Sequence, residues 1–412
     1  MLFGLVKKVF LPIIEASTIF EVYYRDMDTK VTIQSKLPRT GRSIFSVMSE
    51  LAKRNQAINL SQGFPGFDCN DQLKDLVTKY MRQGFNQYAP MEGVGVLRVN
   101  LADKIQSTYD VSIDPDHEIT VTTGATQAIF TAISALVREG DEVMIFEPAY
   151  DSYIPSIKMA GGTPIAVKLK GPEFRIPWQE VKNKLSFKTR MIILNSPHNP
   201  SGCTLNEDDI KQLRIVTEGN DIILLSDEVY EHIIFDEGKH LSILRYPDLY
   251  RRSLCVFSFG KVYHNTGWKL GYIVAPEYMS KEFRKVHQFN VFSANTPMQY
   301  ALAEFLQTPK HYLELAAFYE EKRDYFLSLI KDSKFQFRPT EGSYFQLLDY
   351  SKISEENDIS FAEKLAIEHK VATIPVSPFY SNESEERYIR VCFAKEKEEL
   401  EKAAEILCKI WE

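Results

Sequence analysis

Cysteine is scarce in this chain of 412 residues, and its distribution excludes several classes of protein. The five cysteines are scattered, odd in number and without a Cys-X-X-Cys pair: Cys69, Cys203, Cys255, Cys392 and Cys408. This distribution excludes a disulfide framework and a zinc ribbon, so we expect no metal site. It also favours a cytoplasmic location, where thiols stay reduced.

Long apolar runs are also missing. The first 24 residues are apolar and aromatic, but Lys7, Lys8, Pro12 and Glu15 divide them into runs of about six residues. A spanning helix needs about 20 apolar residues, and no small-residue cleavage site follows a continuous apolar core. We therefore expect no membrane anchor and interpret residues 1–30 as a tail outside the main fold, with Met27 as an alternative start. A helix packed on the domain is the other interpretation.

Positive charge is not in excess, because 49 Lys and Arg stand against 56 Asp and Glu, a net charge of −7. Binding to nucleic acid or to an anionic membrane needs a concentrated basic surface, so we expect neither partner. Hydrophobic residues make up 44% and charged residues 25%, which is typical of a folded soluble protein. The length predicts two or three domains.

What the chain does contain, from about residue 118, is an alternation of short apolar runs and helical patterns. The predicted strands lie at 119–123, 143–146, 164–169, 191–194, 222–225 and 254–257, and helices at 125–138 and 206–217 lie between some of them. Buried strands alternating with helices predict an α/β fold, a mostly parallel sheet covered on both faces. After about residue 276, helices and strand-like pieces at 335–338, 344–348 and 389–393 predict a second, smaller α+β domain.

A lysine follows the last of these predicted strands, in the stretch SFGK at 258–261, and GWKLG follows at 267–271. The amine of Lys261 in such a turn can form a Schiff base with an aldehyde cofactor. Ser258 and Lys269 offer a hydroxyl and a cation to a phosphate. Alone, the pattern fits a surface lysine better, so the assignment depends on the neighbouring motifs.

Three more polar motifs follow predicted strands: GAT at 124–126, NSPHNPSG at 195–202 and SDEVY at 226–230. The carboxyl ends of parallel strands are where open α/β sheets bind ligands. Gly124, Ala125 and Thr126 stand at the start of a predicted helix, where free backbone N–H groups suit a phosphate.

Each motif then has a role around an aldehyde cofactor whose pyridine ring acts as an electron sink. Asp227 can keep the ring nitrogen protonated by ion pairing. Asn199 and Tyr230 can donate to the phenolate oxygen of the ring, and Tyr150 can stack on its face. Lys261, once released from its Schiff base, can move a proton between the substrate Cα and the aldehyde carbon of the cofactor.

Together these motifs resemble the pyridoxal-phosphate-dependent class I/II aminotransferases of fold type I. The chain is most similar to the methionine aminotransferases and to the kynurenine aminotransferase/glutamine transaminase K group. The resemblance covers residues 35–412 and extends to INLSQGFP at 58–65, NQYAP at 86–90 and YIR at 388–390. It implies an N-terminal arm and part of the small domain at 31–75, a large cofactor-binding domain with a mostly parallel seven-stranded sheet at 76–295, and a C-terminal small domain at 296–412.

The resemblance also implies roles that spacing does not show. In the family, the lysine matching Lys261 forms the internal aldimine, and the basic residue matching Lys269 holds the cofactor phosphate. The arginine matching Arg390 binds the substrate α-carboxylate, and the glycine matching Gly63 lies against the substrate. The tyrosine matching Tyr88 reaches the phosphate from the neighbouring subunit, which implies a homodimer with shared active sites.

For the other candidate site residues, a purely structural role is the alternative. Phe292 is a candidate for the substrate pocket together with Asn199 and Tyr88, and a core position is its alternative. Phe64 and Phe67 are weaker candidates of the same kind. His198 stands beside Asn199, but Lys261 already fills the role of base, so we expect His198 to shape its loop.

The resulting hypothesis is an enzyme that moves the α-amino group of methionine, or of an aromatic or kynurenine-like amino acid, to a 2-oxo acid by a ping-pong mechanism. No second arginine for a distal carboxylate stands near Tyr88 or Phe292. One alternative is a cysteine-S-conjugate β-lyase that uses the same site. A remote alternative is a non-catalytic ligand sensor, which needs an added DNA-binding module, and no helix-turn-helix fits the first 30 residues.

Overall fold

The structure is a computed structural model that describes residues 33–38, 40–382 and 386–410. Contacts within the chain divide it into two compact units, Met1–Pro38 and Arg39–Glu412. In the first unit, the backbone N–H of Leu37 donates to Ser35 Oγ at 3.1 Å. The helices and strands given below all lie in the second unit. The predicted tail at 1–30, including Met27, lies outside the described residues, and the proposed domain boundaries stay a prediction.

Twelve strands are present in the described residues, and we number them in chain order. They are β1 (Ile58–Asn59), β2 (Ile119–Thr122), β3 (Glu142–Glu147), β4 (Thr163–Lys168), β5 (Thr189–Asn195), β6 (Ile223–Asp227), β7 (Ser253–Ser258), β8 (Gly271–Val274), β9 (Phe345–Asp349), β10 (Val371–Ala372), β11 (Ile374–Pro375) and β12 (Tyr388–Cys392).

The same part of the chain contains fifteen α-helices, numbered likewise. They are α1 (Ile44–Asn55), α2 (Asp71–Arg82), α3 (Gly95–Tyr109), α4 (Gly124–Leu136), α5 (Tyr153–Met159), α6 (Trp178–Lys184), α7 (Glu207–Thr217), α8 (Pro247–Tyr250), α9 (Phe259–Val262), α10 (Glu277–Asn290), α11 (Thr296–Leu306), α12 (Lys310–Leu313), α13 (Leu315–Ile330), α14 (Asp358–Ile367) and α15 (Lys397–Lys409). None of these helices is long and apolar enough to cross a bilayer.

Seven strands form one sheet in the order β2-β8-β7-β6-β5-β3-β4. Strands β7, β6, β5, β3 and β4 pair in parallel, whereas β8 is antiparallel to both of its neighbours. The predicted fold class, a mostly parallel seven-stranded sheet in an α/β fold, is confirmed. Strand β8 is an addition that the sequence patterns did not predict, because it has only four residues and begins at Gly271, inside the GWKLG turn.

The apolar runs become strands because both faces of the sheet are covered. Successive residues of β5 enter different hydrophobic clusters: Met191 and Ile193 enter one, and Ile192 and Leu194 enter the other. Side chains alternate across a strand, so a strand buried on both faces needs a continuous apolar run.

A smaller α+β region pairs residues 58–60 with strands from the last third of the chain. Strands β11, β12 and β9 form an antiparallel sheet, and β1 pairs in parallel with β10. The N–H of Cys392, at the end of β12, donates to the carbonyl of Leu60 at 2.9 Å. This pairing carries Gly63, three residues further on, to the same place as Arg390 in β12.

The predicted strand at 335–338 is wrong. Only Gln336 pairs there, in an isolated bridge with Asp349. Pro339 follows three residues later and has no N–H to extend a ladder, which accounts for the missing strand.

Candidate active site

The predicted motifs meet at one cavity of about 280 Å³. It lies where β2, β5, β6 and β7 end, as expected for an open α/β sheet. Predicted site residues that line it are Gly63, Gly124, Ala125, Thr126, Tyr150, Asn199, Asp227, Tyr230, Ser258, Lys261, Lys269 and Arg390. The structure therefore brings together twelve of the fourteen predicted site residues, and the other two, Tyr88 and Phe292, lie elsewhere.

Lys261 lies in the one-turn helix α9, directly after the last residue of β7. Its Nζ donates to the carbonyl of Gly63 at 3.1 Å and to the hydroxyl of Tyr344 at 2.9 Å. Burial lowers the pKa of Lys261 to about 8, because desolvation disfavours the charged amine. At pH 7 about a tenth of the amine is therefore unprotonated, far more than for an ordinary lysine.

Asp227 is the last residue of β6 and is almost fully buried. Its carboxylate accepts a hydrogen bond of 2.6 Å from the hydroxyl of Tyr153. Burial raises the pKa of Asp227 to about 6, although the bond from Tyr153 opposes the shift. In the part of the chain that the structure describes, no ion pair neutralises this carboxylate, so it is suited to a cationic ligand.

The start of helix α4 forms another wall of the cavity. Gly124 has a φ of +79°, a conformation that a residue with a side chain rarely adopts. A Cβ placed on Gly124 would lie 3.5 Å from the Nζ of Lys269, so the lysine amine reaches the helix N-terminus. Thr123, at the N-cap, gives this helix no side-chain cap. The free N–H groups of α4, the Lys269 cation and the Ser258 hydroxyl are together suited to a phosphate.

The donors assigned to the ring oxygen, Asn199 and Tyr230, lie in the segments that follow β5 and β6. The N–H of Asn199 donates to Asn195 Oδ1 at 2.7 Å, and Asn195 Nδ2 donates to the carbonyl of Asp227 at 3.0 Å. These bonds fix the loop that carries Asn199 to the end of β6. Burial raises the pKa of Tyr230, so its hydroxyl stays protonated and able to donate. Tyr150 lines the same cavity, with its hydroxyl 3.2 Å from Thr126 Oγ1.

Arg390 projects from β12 and is fully buried. Its Nη1 donates to Asn199 Oδ1 at 2.8 Å, and its Nη2 donates to the carbonyl of Ser61 at 3.1 Å. The Phe345 ring stacks on the guanidinium, with its centroid 3.9 Å from Cζ. Nε of Arg390 is buried without a hydrogen-bond partner, and no carboxylate pairs with the guanidinium among the described residues. This arrangement leaves a buried cation that needs an anion.

Gly63 allows the chain to pass close to this arginine. A Cβ at this position would lie 3.1 Å from the Phe345 ring and 3.6 Å from Arg390 Nη2. Any side chain here would therefore compete with a ligand for the space in front of the guanidinium.

Tyr88 and Phe292 do not line the cavity of a single chain. Their rings contact each other with centroids 5.4 Å apart, and Tyr88 is 83% exposed. Phe292 is 46% exposed, so neither the pocket nor the core position predicted for it is found within one chain.

Of the remaining candidates, His198, Phe64 and Phe67, one lines the cavity and two do not. The ring of His198 is buried and bonds through Nδ1 to Ser201 Oγ at 2.7 Å, within its own loop and away from the cavity. Phe64 lines the cavity, whereas Phe67 packs against His264 and other aromatic rings.

Several residues at the site were not predicted. Tyr153 supports Asp227, Tyr344 contacts Lys261, and Phe345 stacks on Arg390. Tyr150 lies outside the helix that begins at Tyr153, so no helical spacing links Tyr153 to the predicted residues. Phe45 and Gln62 also line the cavity. Gln62 stands beside Gly63 in the INLSQGFP stretch, which is a signal for it, whereas nothing in the sequence around Phe45 indicates its position.

The donor set fits pyridoxal phosphate. A cationic ring nitrogen matches the unpaired carboxylate of Asp227, and a phosphate matches the start of α4 with Lys269. An aldehyde carbon matches the amine of Lys261. The unpartnered Arg390 Nε then remains for the carboxylate of an amino acid.

Comparison with known proteins agrees with this geometry. Residues 55–407 match the model of the aminotransferase class I and II family. A methionine aminotransferase from Escherichia coli (strain K12) is 49% identical over 91% of this chain and 97% of its own. Kynurenine–oxoglutarate transaminase 3 from Homo sapiens is 32% identical over 93% of this chain and 91% of its own.

The fold also superimposes on a solved structure. The crystal structure of an Escherichia coli protein whose reactivity identified a methionine aminotransferase function has a TM-score of 0.91 and 48% identity, covering 92% of this chain and 100% of the other. These similarities favour transamination over the lyase and ligand-sensor alternatives. The chain therefore belongs to the class I and II aminotransferases and is a pyridoxal-phosphate-dependent transaminase that acts on amino acids.

Proposed function

We propose that the protein transfers the α-amino group of methionine, or of an aromatic or kynurenine-like amino acid, to a 2-oxo acid by a ping-pong reaction in this cavity. One observation carries the proposal: a buried arginine without a carboxylate partner, Arg390, shares the cavity with the amine of Lys261. An arginine fork recognises the α-carboxylate that every amino acid substrate has. The lysine amine acts on the neighbouring Cα.

The residues of the chain divide the work as follows. Pyridoxal phosphate, when bound, supplies the electron sink for the Cα–H electrons. Lys261 would bind the cofactor aldehyde and, when free, would accept the Cα proton at Nζ and pass it to the aldehyde carbon of the cofactor, a role suited to its pKa of about 8. Asp227 holds a proton on the ring nitrogen. Asn199 and Tyr230 donate to the ring oxygen, and Arg390 orients the substrate.

The walls of the cavity support a preference for apolar side chains. Phe45, Phe64 and Phe345 line it, and its lining cations in the described residues are Lys261, Lys269 and Arg390. The cofactor and the α-carboxylate account for all three cations. A methionine or phenylalanine side chain would gain about 1.5–3 kcal/mol from burial here, whereas a distal carboxylate would be buried without a partner.

We further propose a homodimer in which Tyr88 reaches the phosphate of the neighbouring subunit and Phe292 borders its substrate pocket. The exposure of the Tyr88–Phe292 pair in a single chain supports this proposal, as does Phe289, which is 87% exposed. Large exposed aromatic side chains are enriched at protein interfaces.

A mixing experiment tests the shared site. In a dimer of one Lys261→Ala and one Tyr88→Ala chain, one site has lost both residues and the other has lost neither. If Tyr88 acts across the interface, refolding the two variants together should restore about a quarter of native activity. If Tyr88 acts within its own chain, the mixture should stay at the average of the two variants.

The free state of all five cysteines supports a cytoplasmic location, which we propose on this ground.

A panel of amino donors tests the proposed function. With one common 2-oxo acid, methionine, phenylalanine and kynurenine should exceed aspartate at least about tenfold in kcat/KM, which corresponds to about 1.4 kcal/mol. Aspartate as the best donor would refute the argument from the cavity walls. Release of ammonia and pyruvate from a cysteine S-conjugate, measured in the same preparation, reports any lyase activity separately.

A further inference from the structure

The hydroxyl of Tyr344 lies against the amine of Lys261, in an arrangement that the proposed roles above do not use. Lys261 Nζ donates to Tyr344 Oη at 2.9 Å, and Tyr344 Oη donates to the carbonyl of Gly63 at 2.8 Å. Nζ also donates to the same carbonyl at 3.1 Å. Because the hydroxyl proton points to Gly63, the oxygen of Tyr344 is free to accept from the lysine.

The ring of Tyr344 is held firmly. It is fully buried and packs edge-on against Tyr230, with centroids 5.2 Å apart, and against Phe345, with centroids 4.9 Å apart. Close packing of this kind restricts the ring to one rotamer. The position of the hydroxyl is therefore set by the fold rather than by the lysine.

The backbone before Tyr344 is strained and anchored. Ser343 has a φ of +64°, in the left-handed region that residues with a side chain rarely adopt. Its N–H donates to the carbonyl of Ile233 at 2.9 Å, and Gly342 forms an isolated bridge with Ile234. Strain that the surrounding structure maintains is commonly found where a side chain must be aimed at a functional site.

We propose that Tyr344 is a positioning residue for Lys261, which, together with the Gly63 carbonyl, holds the lysine amine in place whenever that amine is not bonded to the cofactor. The inference rests on the proposed function, because it assumes that Lys261 is the residue that acts on the cofactor and on Cα. Two fixed acceptors orient the N–H bonds of the amine, and its lone pair consequently points in one direction.

The arrangement has a consequence for the charge on Lys261. Hydrogen bonds to an ammonium group favour its charged form, so removal of the Tyr344 hydroxyl should lower the pKa of Lys261 further. The other titratable groups around this amine remain: Arg390 and Lys269 lower its pKa, Asp227 and Cys392 raise it, and the Tyr230 ring lies 5.6 Å away.

A matched pair of variants tests the proposal. Tyr344→Phe removes the hydroxyl that contacts Lys261. Tyr319→Phe removes a hydroxyl from the same buried cluster, where the ring lies 5.6 Å from that of Tyr344 and the hydroxyl has no hydrogen-bond partner in the described part of the chain. Both changes delete one oxygen from a buried tyrosine, but only the first touches the lysine.

The readout is the pKa of the Lys261 amine in the full-length protein stripped of its cofactor. Competitive labelling with acetic anhydride across a pH series, with mass spectrometry of the peptide that carries Lys261, gives this value directly. We expect Tyr344→Phe to lower it by about one unit, the usual scale for one hydrogen bond to a charged group. Tyr319→Phe should leave it unchanged. Equal values in the two variants would overturn the proposal.

A second variant keeps the proposal testable if Tyr344→Phe does not fold. 3-Fluorotyrosine at position 344 keeps the ring and the hydroxyl but makes the oxygen a weaker acceptor, so the pKa of Lys261 should fall by less in the same direction. An unchanged pKa would overturn the proposal. Because labelling reads the amine without cofactor or substrate, its result is independent of the donor panel, and reductive trapping of the cofactor reports separately whether Lys261 is the cofactor lysine.

Discussion

Asp227 should destabilise the chain whenever the cofactor is absent. Its carboxylate is buried, accepts hydrogen bonds from the hydroxyl of Tyr153 and from the N–H of Val229, and has no cationic partner among the described residues. Asp227→Asn removes the ionisable group but preserves the size of the side chain and an oxygen that can accept from Tyr153. The variant should therefore be more stable than the wild type at neutral pH, although it should lose nearly all activity.

The magnitude follows from the pKa. Burial raises the pKa of Asp227 from 3.8 to about 6. The folded chain therefore binds the proton of Asp227 more tightly than the unfolded chain does, and this tighter binding stabilises the fold. The stabilisation is fully present below pH 3.8 and is lost as the pH rises through about 6. A shift of about two units corresponds to about 3 kcal/mol.

The assay is chemical denaturation of the cofactor-free proteins at pH 8 and pH 5. At pH 8 the free energy of unfolding of Asp227→Asn should exceed that of the wild type by up to about 3 kcal/mol, and at pH 5 by about half as much. Pyridoxal phosphate should then stabilise the wild type more than the variant, because only the carboxylate pairs with a cationic ring nitrogen.

Two results would refute this reasoning. One is a stability difference that does not change between pH 5 and pH 8. The other is a wild type that is the more stable protein at pH 8 without cofactor, which would mean that the carboxylate has a favourable partner in the folded chain.

Three other substitutions should each change one measurable property of the site. Arg390→Lys keeps the charge but loses the planar fork that bonds Asn199, so kcat/KM for methionine should fall about 10- to 100-fold while the cofactor absorbance is retained. Lys269→Gln should weaken cofactor binding about tenfold in a fluorescence titration, a loss of about 1.4 kcal/mol, with the covalent bond to Lys261 still formed. Tyr153→Phe removes the donor to Asp227, so the pKa of Asp227 should rise and the acid limb of the pH profile of kcat/KM should move up by about one unit. A normal kcat/KM, an unchanged affinity or an unmoved acid limb, respectively, would contradict these roles.

Much of the large sheet was predictable from sequence because its strands are buried on both faces and therefore read as continuous apolar runs. The run Met191–Ile192–Ile193–Leu194 is an example, with alternate residues in two clusters. The exceptions were short segments. Strand β8 has only four residues and begins inside a glycine-containing turn, and the segment at 335–338 has the composition of a strand but forms a single bridge.

The site was predictable where it depends on strand ends. Asp227 ends a strand of the parallel sheet, Asn199 and Lys261 follow two others, and the carboxyl ends of such strands meet at one edge. Gly63 and Arg390 were identified only by resemblance to a family, because the pairing that joins them connects residues more than 300 positions apart, as in the bond from Cys392 to Leu60.

Tyr153 and Tyr344 were not predicted from the sequence, for a different reason. Each acts through its hydroxyl, which donates to Asp227 in Tyr153 and accepts from Lys261 in Tyr344. A tyrosine in a short helix or at the start of a strand is most often a core residue, so composition and spacing give no signal for such a contact.

The central claim is that Lys261 is the residue that bonds the cofactor, and reductive trapping tests it most directly. Borohydride reduction of the pyridoxal-phosphate-loaded protein, followed by digestion and mass spectrometry, identifies the lysine that carries the cofactor. Lys269 is the internal control, since it also lines the cavity. We predict that the peptide containing Lys261 carries the cofactor and that Lys261→Ala yields no trapped peptide. Cofactor trapped on Lys269, or on any lysine other than Lys261, would contradict this account.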